Sequence, residues 1–137
     1  APQLNWRLHP DSLTIGEMGL HVAGVEVSFV SQLLDVELDS FLESVRAAAT
    51  DGVVNDQAFP FTKEEIDPGL VRRALEASRE MVEPVISAPS DALRAKQIVS
   101  ALGPVIDGTG ALARLAFHPG YHQGQVHLVR SAPGFPR

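Results

Sequence analysis

The sequence predicts an all-α protein, most simply a helix bundle. Helix-start signals precede several long segments, and apolar residues within those segments recur at helical spacing. Strand signals are weak, because no stretch alternates apolar and polar residues for long and no Asn-Gly hairpin occurs. The chain has 137 residues, of which 45% are hydrophobic. This is enough for one domain with a real core and too little for two of ordinary size, so we predict a single domain over 1–137.

The first strong element begins at "TIGE", residues 14–17, after a proline-containing lead-in over 1–13 that we expect to be extended. These four residues form a capping box, in which Thr14 accepts from the N–H of Glu17 and the Glu17 carboxylate reaches back to the N–H of Thr14. The pattern predicts a helix over 15–34. Its apolar positions are Met18, Val22, Val25, Phe29, Val30 and Leu33.

The second and third helices have clear N-terminal signals. Asp39 or Ser40 caps "FLESVRAAA", which is predicted to end at "TDG", around Thr50 to Gly52. The mixed segment 52–66 is predicted to be a loop. The next helix has Asp67 as its N-cap, with proline at the first helical position, and extends through "VEPVIS".

Two more helices are predicted in the C-terminal third. "APSDALRAKQIVSALGP" has Ser90 as a cap and a Gly-Pro stop, so we expect a helix that ends before Gly103. The last helix should begin at Thr109 or Gly110 and end near Ser131, where "APGFP" closes it.

Charge and composition exclude several classes of partner. The formal net charge is −6, so the field of the protein repels phosphate backbones and anionic lipid, and no nucleic-acid partner is expected. The chain has no cysteine, so any metal must be held by His, Asp, Glu or carbonyl oxygen. No apolar run approaches the roughly 20 residues that span a bilayer, and the N-terminus has no secretory apolar core. We therefore expect a soluble cytoplasmic protein with no membrane partner.

Three of the five histidines lie in "AFHPGYHQGQVH", residues 116–127. His118 and His122 are four apart, so on a helix their imidazoles project from one face and can share a metal ion. Such a pair is more often a set of surface or capping residues. Here Leu115, Val126 and Val129 fall near the same side, which favours an interior position and hence a need for partners.

His21 is the natural third ligand, because it lies on the apolar side of the first strong helix and bundles build metal sites from facing helices. The alternative of nearly equal weight is a core histidine hydrogen-bonded to Glu17 or to a carbonyl. His9 is expected in a turn at the surface. His127 is displaced by about 140° around the helix from His122 and should face solvent.

Pro119 separates the two candidate ligands and lacks the N–H that would bond the carbonyl of Leu115. One arrangement is a long helix that bends there. The other is a new helix that begins there with His118 as N-cap, which would turn the His118 side chain away from His122. We favour the long helix, because 111–117 is itself a good helix former.

Two blocks of this sequence resemble the DinB/YfiT-like family of metalloenzymes (the DinB superfamily). "HPGYHQGQVHLVRSAPGFP" is similar to its C-terminal motif. The matching positions are His118, His122, Gly124, Gln125, Arg130 and the stretch from Pro133 to Pro136. "TIGEMGLHVAGVE" is similar to the block that carries the family's first histidine, and supplies Thr14, Ile15, Glu17, His21 and Glu26 in order. The blocks lie about a hundred residues apart, and with the helices between them they cover most of the chain.

The resemblance implies a four-helix bundle with a divalent transition metal held by His21, His118 and His122 near one end. Nickel or zinc is the expected ion, and iron also suits three imidazoles. The family has a long helix before the capping box, whereas only thirteen residues precede it here. We therefore expect a bundle whose first helix is missing or truncated, and a homodimer in which a partner covers the exposed apolar faces.

The resemblance also implies a metal-dependent enzyme of the thiol S-transferase type, which joins a small-molecule thiol to an electrophilic substrate. The alternatives are a metal-dependent hydrolase or isomerase, and a non-catalytic metal-binding module for stress response or interaction. Glu17, one turn before His21, is the candidate catalytic carboxylate, although its capping role competes. Gln125, one turn from Tyr121, either hydrogen-bonds near the site or braces two helices, and we favour the structural role. Arg130 either binds an anionic substrate group or complements the helix dipole.

Overall fold

A computed structural model describes residues 2–137 and is mostly helical. Its elements in chain order are α1 (Ile15–Leu34), α2 (Ser40–Ala47), α3 (Pro68–Ser87), α4 (Asp91–Ala95), β1 (Gln97–Val99), β2 (Val105–Asp107) and α5 (Gly108–Ser131). The two strands form one antiparallel hairpin, with Ile98 opposite Ile106. The expected all-α character therefore holds for most of the chain, with one small sheet added.

Helix α1 is the centre of the fold, and α2, α3, α5 and β1 all pack against it. One group of its apolar side chains, which includes Leu20 and Val27, packs with α2 and α3. Another group, which includes Val25 and Phe29, packs with α5 and the hairpin. A helix that buries apolar side chains on several faces belongs in the interior of a protein. The position of α1 thus places His21 inside the molecule.

Four of the five predicted helix starts agree with the structure. The capping box of Thr14 and Glu17 is formed in both directions, and the side chains of Asp39, Asp67 and Ser90 each accept a backbone N–H at their helix starts. α5 begins slightly earlier than predicted because Asp107 is its N-cap. Each cap satisfies an N–H that the first turn of a helix leaves without a partner.

The predicted helix between Ser90 and Gly103 is wrong. Only Asp91–Ala95 is helical, and the chain then forms β1, a turn and β2. The β-branched residues of "QIV" and "PVID" fit strands, and Ile98 is buried against α1 and α5. Gly103 has a φ of +96°, which permits the turn between the strands. Tertiary contact and turn geometry outweighed the local helix propensity of this segment.

Helix α5 continues from Gly108 to Ser131 through Pro119. The prediction of one long helix is therefore confirmed, and the alternative of a new helix beginning at Pro119 is wrong. His118 and His122 consequently stay on one face of one helix. Within residues 2–137, no helix combines the length and the apolar character that a bilayer crossing requires.

Candidate metal centre

Three imidazoles from α1 and α5 converge at one point. His118 Nε2 lies 3.2 Å from His21 Nε2 and 3.1 Å from His122 Nε2. The ring centroids are 4.5–5.0 Å apart, and the rings meet edge to face. Among the described residues this is the group of His, Asp or Glu whose ligand atoms are close enough to hold a metal ion. The structure therefore brings together all three histidines that the sequence singled out.

The backbone carbonyl of Ala48 fixes the orientation of the His21 ring. His21 Nδ1 lies 2.9 Å from this oxygen and donates to it, which leaves Nε2 with a free lone pair directed at the other two rings. A neutral imidazole has one donor nitrogen and one acceptor nitrogen, so the carbonyl determines which of them faces the cluster.

Gly24 lets the Ala48 carbonyl come so close to α1. A Cβ at this position would lie 2.5 Å from the carbonyl oxygen of Val45 and 2.7 Å from the backbone nitrogen of Ala49. Only glycine allows the end of α2 to approach α1 at this distance. Gly24 is one turn after His21, so the close approach delivers the carbonyl to His21 Nδ1.

Burial keeps the three imidazoles neutral at pH 7. Desolvation lowers the pKa of His21, although its hydrogen bond to Ala48 opposes this. Burial, with the neighbouring His122 and His21, lowers the pKa of His118 from 6.5 to about 4. Burial and His21 also lower the pKa of His122. A neutral imidazole is the form that binds a metal ion.

The three histidines cannot satisfy one another by hydrogen bonds alone. His21 Nε2 is an acceptor, and His118 Nε2 faces both it and His122 Nε2. One N–H cannot serve both contacts, so one pair of nitrogens always meets without a proton between them. His118 Nδ1 and His122 Nδ1 are also buried without a partner in the described part of the chain. A cation among the three Nε2 atoms would resolve the unfavourable contact.

The distances fit a transition-metal ion. With metal–nitrogen bonds of about 2.0–2.1 Å, two imidazole nitrogens on a tetrahedral ion lie about 3.3 Å apart, and at right angles on an octahedral ion about 2.9 Å. The observed separations of 3.1 and 3.2 Å fall between these values. The cluster could therefore hold a metal ion, and its geometry does not choose among the ions that imidazole prefers.

A cavity of about 560 Å³ opens beside the three histidines. Its walls are mainly apolar and come from α1, the segment after α2, the β1–β2 turn and α5, including Phe29, Val53 and Leu102. The polar members of the wall, apart from the histidines, are Arg114, Tyr121 and Gln125. A mostly apolar cavity with a few convergent polar groups is typical of a small-molecule site.

Glu17, the candidate catalytic carboxylate, does not line this cavity. Its Oε2 accepts from Thr14 N at 2.7 Å, and its Oε1 accepts from Arg7 at 2.7 Å. Both oxygens are thus engaged in the capping box and in an ion pair at the start of α1. The capping role is confirmed, whereas an acid–base role stays a prediction that the geometry does not support.

The other candidate residues fall into two groups. His9 and His127 are exposed and lie outside the cluster, as expected. Arg130 is exposed in the last turn of α5. Gln125 reaches the cavity, where its amide donates to the Tyr121 hydroxyl at 3.1 Å. Gln125 therefore joins the wall of the site, and this bond links two residues of one helix.

Sequence reasoning missed Arg114 and the Ala48 carbonyl. Arg114 precedes His118 by four residues, so the same spacing that paired His118 with His122 could have placed it on the same face of α5. A backbone carbonyl gives no residue-specific signal, and only the packing of α2 on α1 reveals it.

Comparison with known proteins identifies no relative. No protein-family model matches the chain. No curated protein matches it, and neither does any solved structure. The observations define a mostly helical protein with a buried three-histidine cluster that could hold a metal ion beside an apolar cavity.

Proposed function

We propose that the protein is a divalent-metal-dependent enzyme of the DinB-like kind, with His21, His118 and His122 as the metal ligands. The observation that carries this proposal is the convergence of three Nε2 atoms in the wall of a mostly apolar cavity. Three ligands that face a cavity leave coordination positions for a substrate, as catalytic sites do. Zinc and nickel are the proposed ions, with iron as a further candidate.

Thiol S-transfer is the proposed reaction. The metal, when bound, would supply a Lewis acid that lowers the pKa of a bound thiol. In the transfer the sulfur forms a bond to the electrophilic carbon, the thiol proton goes to solvent, and in a substitution the leaving group departs with its electron pair. The chain has no cysteine, so the thiol arrives as a cosubstrate. The apolar wall suits the carbon skeleton of the electrophile.

The charge of the cavity favours thiol transfer over hydrolysis. Among residues 2–137, those that line the cavity include no Asp or Glu, so no carboxylate is placed there to act as a general base for water. A thiol is far more acidic than water and needs less help to ionise. A metal-dependent hydrolase or isomerase is therefore the second candidate, and a non-catalytic metal-binding module the third.

Metal binding is tested first, on protein purified without a histidine tag and stripped with a chelator. Titration with Co²⁺ should give visible absorption bands that saturate at one ion per chain, and Zn²⁺ should displace them. The variants His21→Gln, His118→Gln and His122→Gln should each lose the bands. His127→Gln, on the same helix but exposed, is the matched control and should keep them.

Failure of the native protein to bind Co²⁺, Zn²⁺ or Ni²⁺ would remove the proposal. Equal loss of binding in the His127→Gln variant would remove the ligand assignment. Transfer is then measured as the disappearance of free thiol from cysteine or glutathione in the presence of an activated aryl chloride. The rate should depend on the added metal and fall in the His122→Gln variant. Metal binding without any thiol consumption would instead favour the hydrolase or the non-catalytic candidate.

A further inference from the structure

Arg114 stands out in the wall of the cavity because of its charge. It is the one side chain with a permanent formal charge among the residues that line the cavity, within the part of the chain that is described. The protein as a whole carries 17 acidic and 11 basic residues. The charge of this cavity wall therefore has the opposite sign to the net charge of the protein.

Arg114 also has no partner among the residues that the structure describes. Several other basic residues are engaged: Arg7 with Glu17, Arg46 with Glu43 and Lys96 with Asp35. Over residues 2–137, no ion pair and no side-chain hydrogen bond is formed by Arg114, which is half-buried on α5. A guanidinium has five N–H donors in a planar fork that matches a carboxylate. Those donors are therefore available to a ligand.

The position of Arg114 relates it to the histidine cluster. Residues 114, 118 and 122 are four apart on α5, so they lie along one face of the helix. One such step is about 6 Å along the helix axis. A ligand held by Arg114 would thus extend along this face toward His118 and His122. The distance suits a molecule whose anionic group and reacting group are separated by a few carbon atoms.

We propose that this cavity binds a small organic monocarboxylate, with its carboxylate on Arg114 and its apolar body against the wall formed by residues such as Phe29 and Val53. A single guanidinium balances the one negative charge of a carboxylate, whereas the second charge of a phosphate dianion would meet no further permanently charged cation among the described residues that line this cavity. The proposal rests on the proposed function in that the carboxylate belongs to the substrate of the three-histidine centre. Binding of the carboxylate itself requires no metal.

The test uses metal-free protein and three probes with the same alkyl chain: hexanoate, hexanamide and hexyl phosphate. Dissociation constants are measured by calorimetry or by chemical-shift titration. Hexanoate should bind about tenfold more tightly than hexanamide, because only the charged group gains a charge-assisted hydrogen bond. The affinity of the Arg114→Gln variant for hexanoate should fall to its affinity for hexanamide. Arg130→Gln, at an exposed position outside this cavity on the same helix, should bind hexanoate like the native protein.

Arg114→Lys keeps the charge without the fork and should give an intermediate affinity, which also guards against a folding defect in Arg114→Gln. Equal affinities for hexanoate and hexanamide, or no binding of either, would overturn the proposal. So would an Arg114→Gln variant that binds hexanoate like the native protein. Tighter binding of hexyl phosphate would overturn the carboxylate assignment. Titration of Arg114→Gln with Co²⁺ should give the same absorption bands as the native protein. Failure of the anion site is therefore distinguishable from failure of the metal centre.

Discussion

At the scale of single residues, the ring of His21 has a defined role for each nitrogen. Nδ1 donates to the Ala48 carbonyl, and Nε2 faces His118. The sequence allowed two interpretations of His21, a metal ligand and a core histidine bonded to a carbonyl. In the structure Nδ1 makes the bond to a carbonyl, and Nε2 remains available to bind a metal ion. The two interpretations are therefore compatible, because an imidazole has two functional atoms.

The metal-free protein should lose stability as the pH falls from 6.5 toward 4. His118 has a pKa of 6.5 when unfolded and about 4 when folded, because burial and the neighbouring His122 and His21 disfavour its charged form. Between these values the unfolded chain binds a proton that the folded chain does not, so the free energy of unfolding rises with pH. The contribution of His118 is complete above pH 6.5 and is lost as the pH falls through this window.

The measurement is the melting temperature of chelator-treated protein from pH 8 to pH 5, where the carboxylates contribute less. The increase of melting temperature with pH should be smaller in His118→Gln than in the native protein. It should not change in His127→Gln, whose imidazole is exposed. A melting temperature that is independent of pH over this range would contradict the buried neutral state of the cluster.

At the scale of elements, the contact between α1 and the end of α2 determines the orientation of the site. Gly24 permits this contact, and the contact brings the Ala48 carbonyl within hydrogen-bond distance of His21. The contact between α3 and α1 has its own polar link, in which Ser78 donates to Glu26 at 2.5 Å. Burial raises the pKa of Glu26, and the hydrogen bond from Ser78 opposes that rise. Glu26, one of the residues in the family-like block, thus joins two helices.

Gly24→Ala should destabilise the protein and weaken metal binding. The new Cβ would meet backbone atoms of Val45 and Ala49, which cannot rotate away as a side chain does. We expect the free energy of unfolding to fall by about 1–3 kcal/mol. Metal affinity should fall about 10-fold or more, because His21 loses the carbonyl that orients it.

Gly124→Ala is the matched control, since a Cβ there meets nothing within 4 Å. It should raise stability by about 0.5–1 kcal/mol, as alanine is the better helix former. Both variants are measured by urea denaturation and by competition for Zn²⁺ with a chelating dye. A Gly24→Ala variant with native stability would show that the end of α2 moves away without cost.

At the scale of the whole molecule, α5 presents an apolar stripe to solvent. Phe117 and Leu128 are each 67% exposed, and Tyr121 lies between them at 52%. Their spacing of four and seven residues puts them on one face of the helix, and Gly124 adds no side chain to that face. Several large apolar side chains exposed on one helix face are typical of an association surface.

The homodimer remains a prediction, and α5 is the surface on which we expect it to form. Sedimentation at micromolar concentration should give a dimer for the native chain. Leu128→Asp should give a monomer, because it would place a charge in the apolar contact. Leu8→Asp, at another exposed leucine outside α5, should remain dimeric. A native protein that sediments as a monomer would contradict the prediction.

The sequence by itself determined most of the helix starts and the identity of the three clustered histidines. These follow from local chemistry: caps satisfy free N–H groups, and residues four apart share a helix face. Pro119 illustrates the limit, because the same residues allowed two helices or one, and the packed structure has one. Tertiary structure alone decided that 97–107 forms a hairpin, that Ala48 orients His21, and that Arg114 enters the cavity. Each of these depends on contacts between segments distant in sequence, which no local pattern encodes.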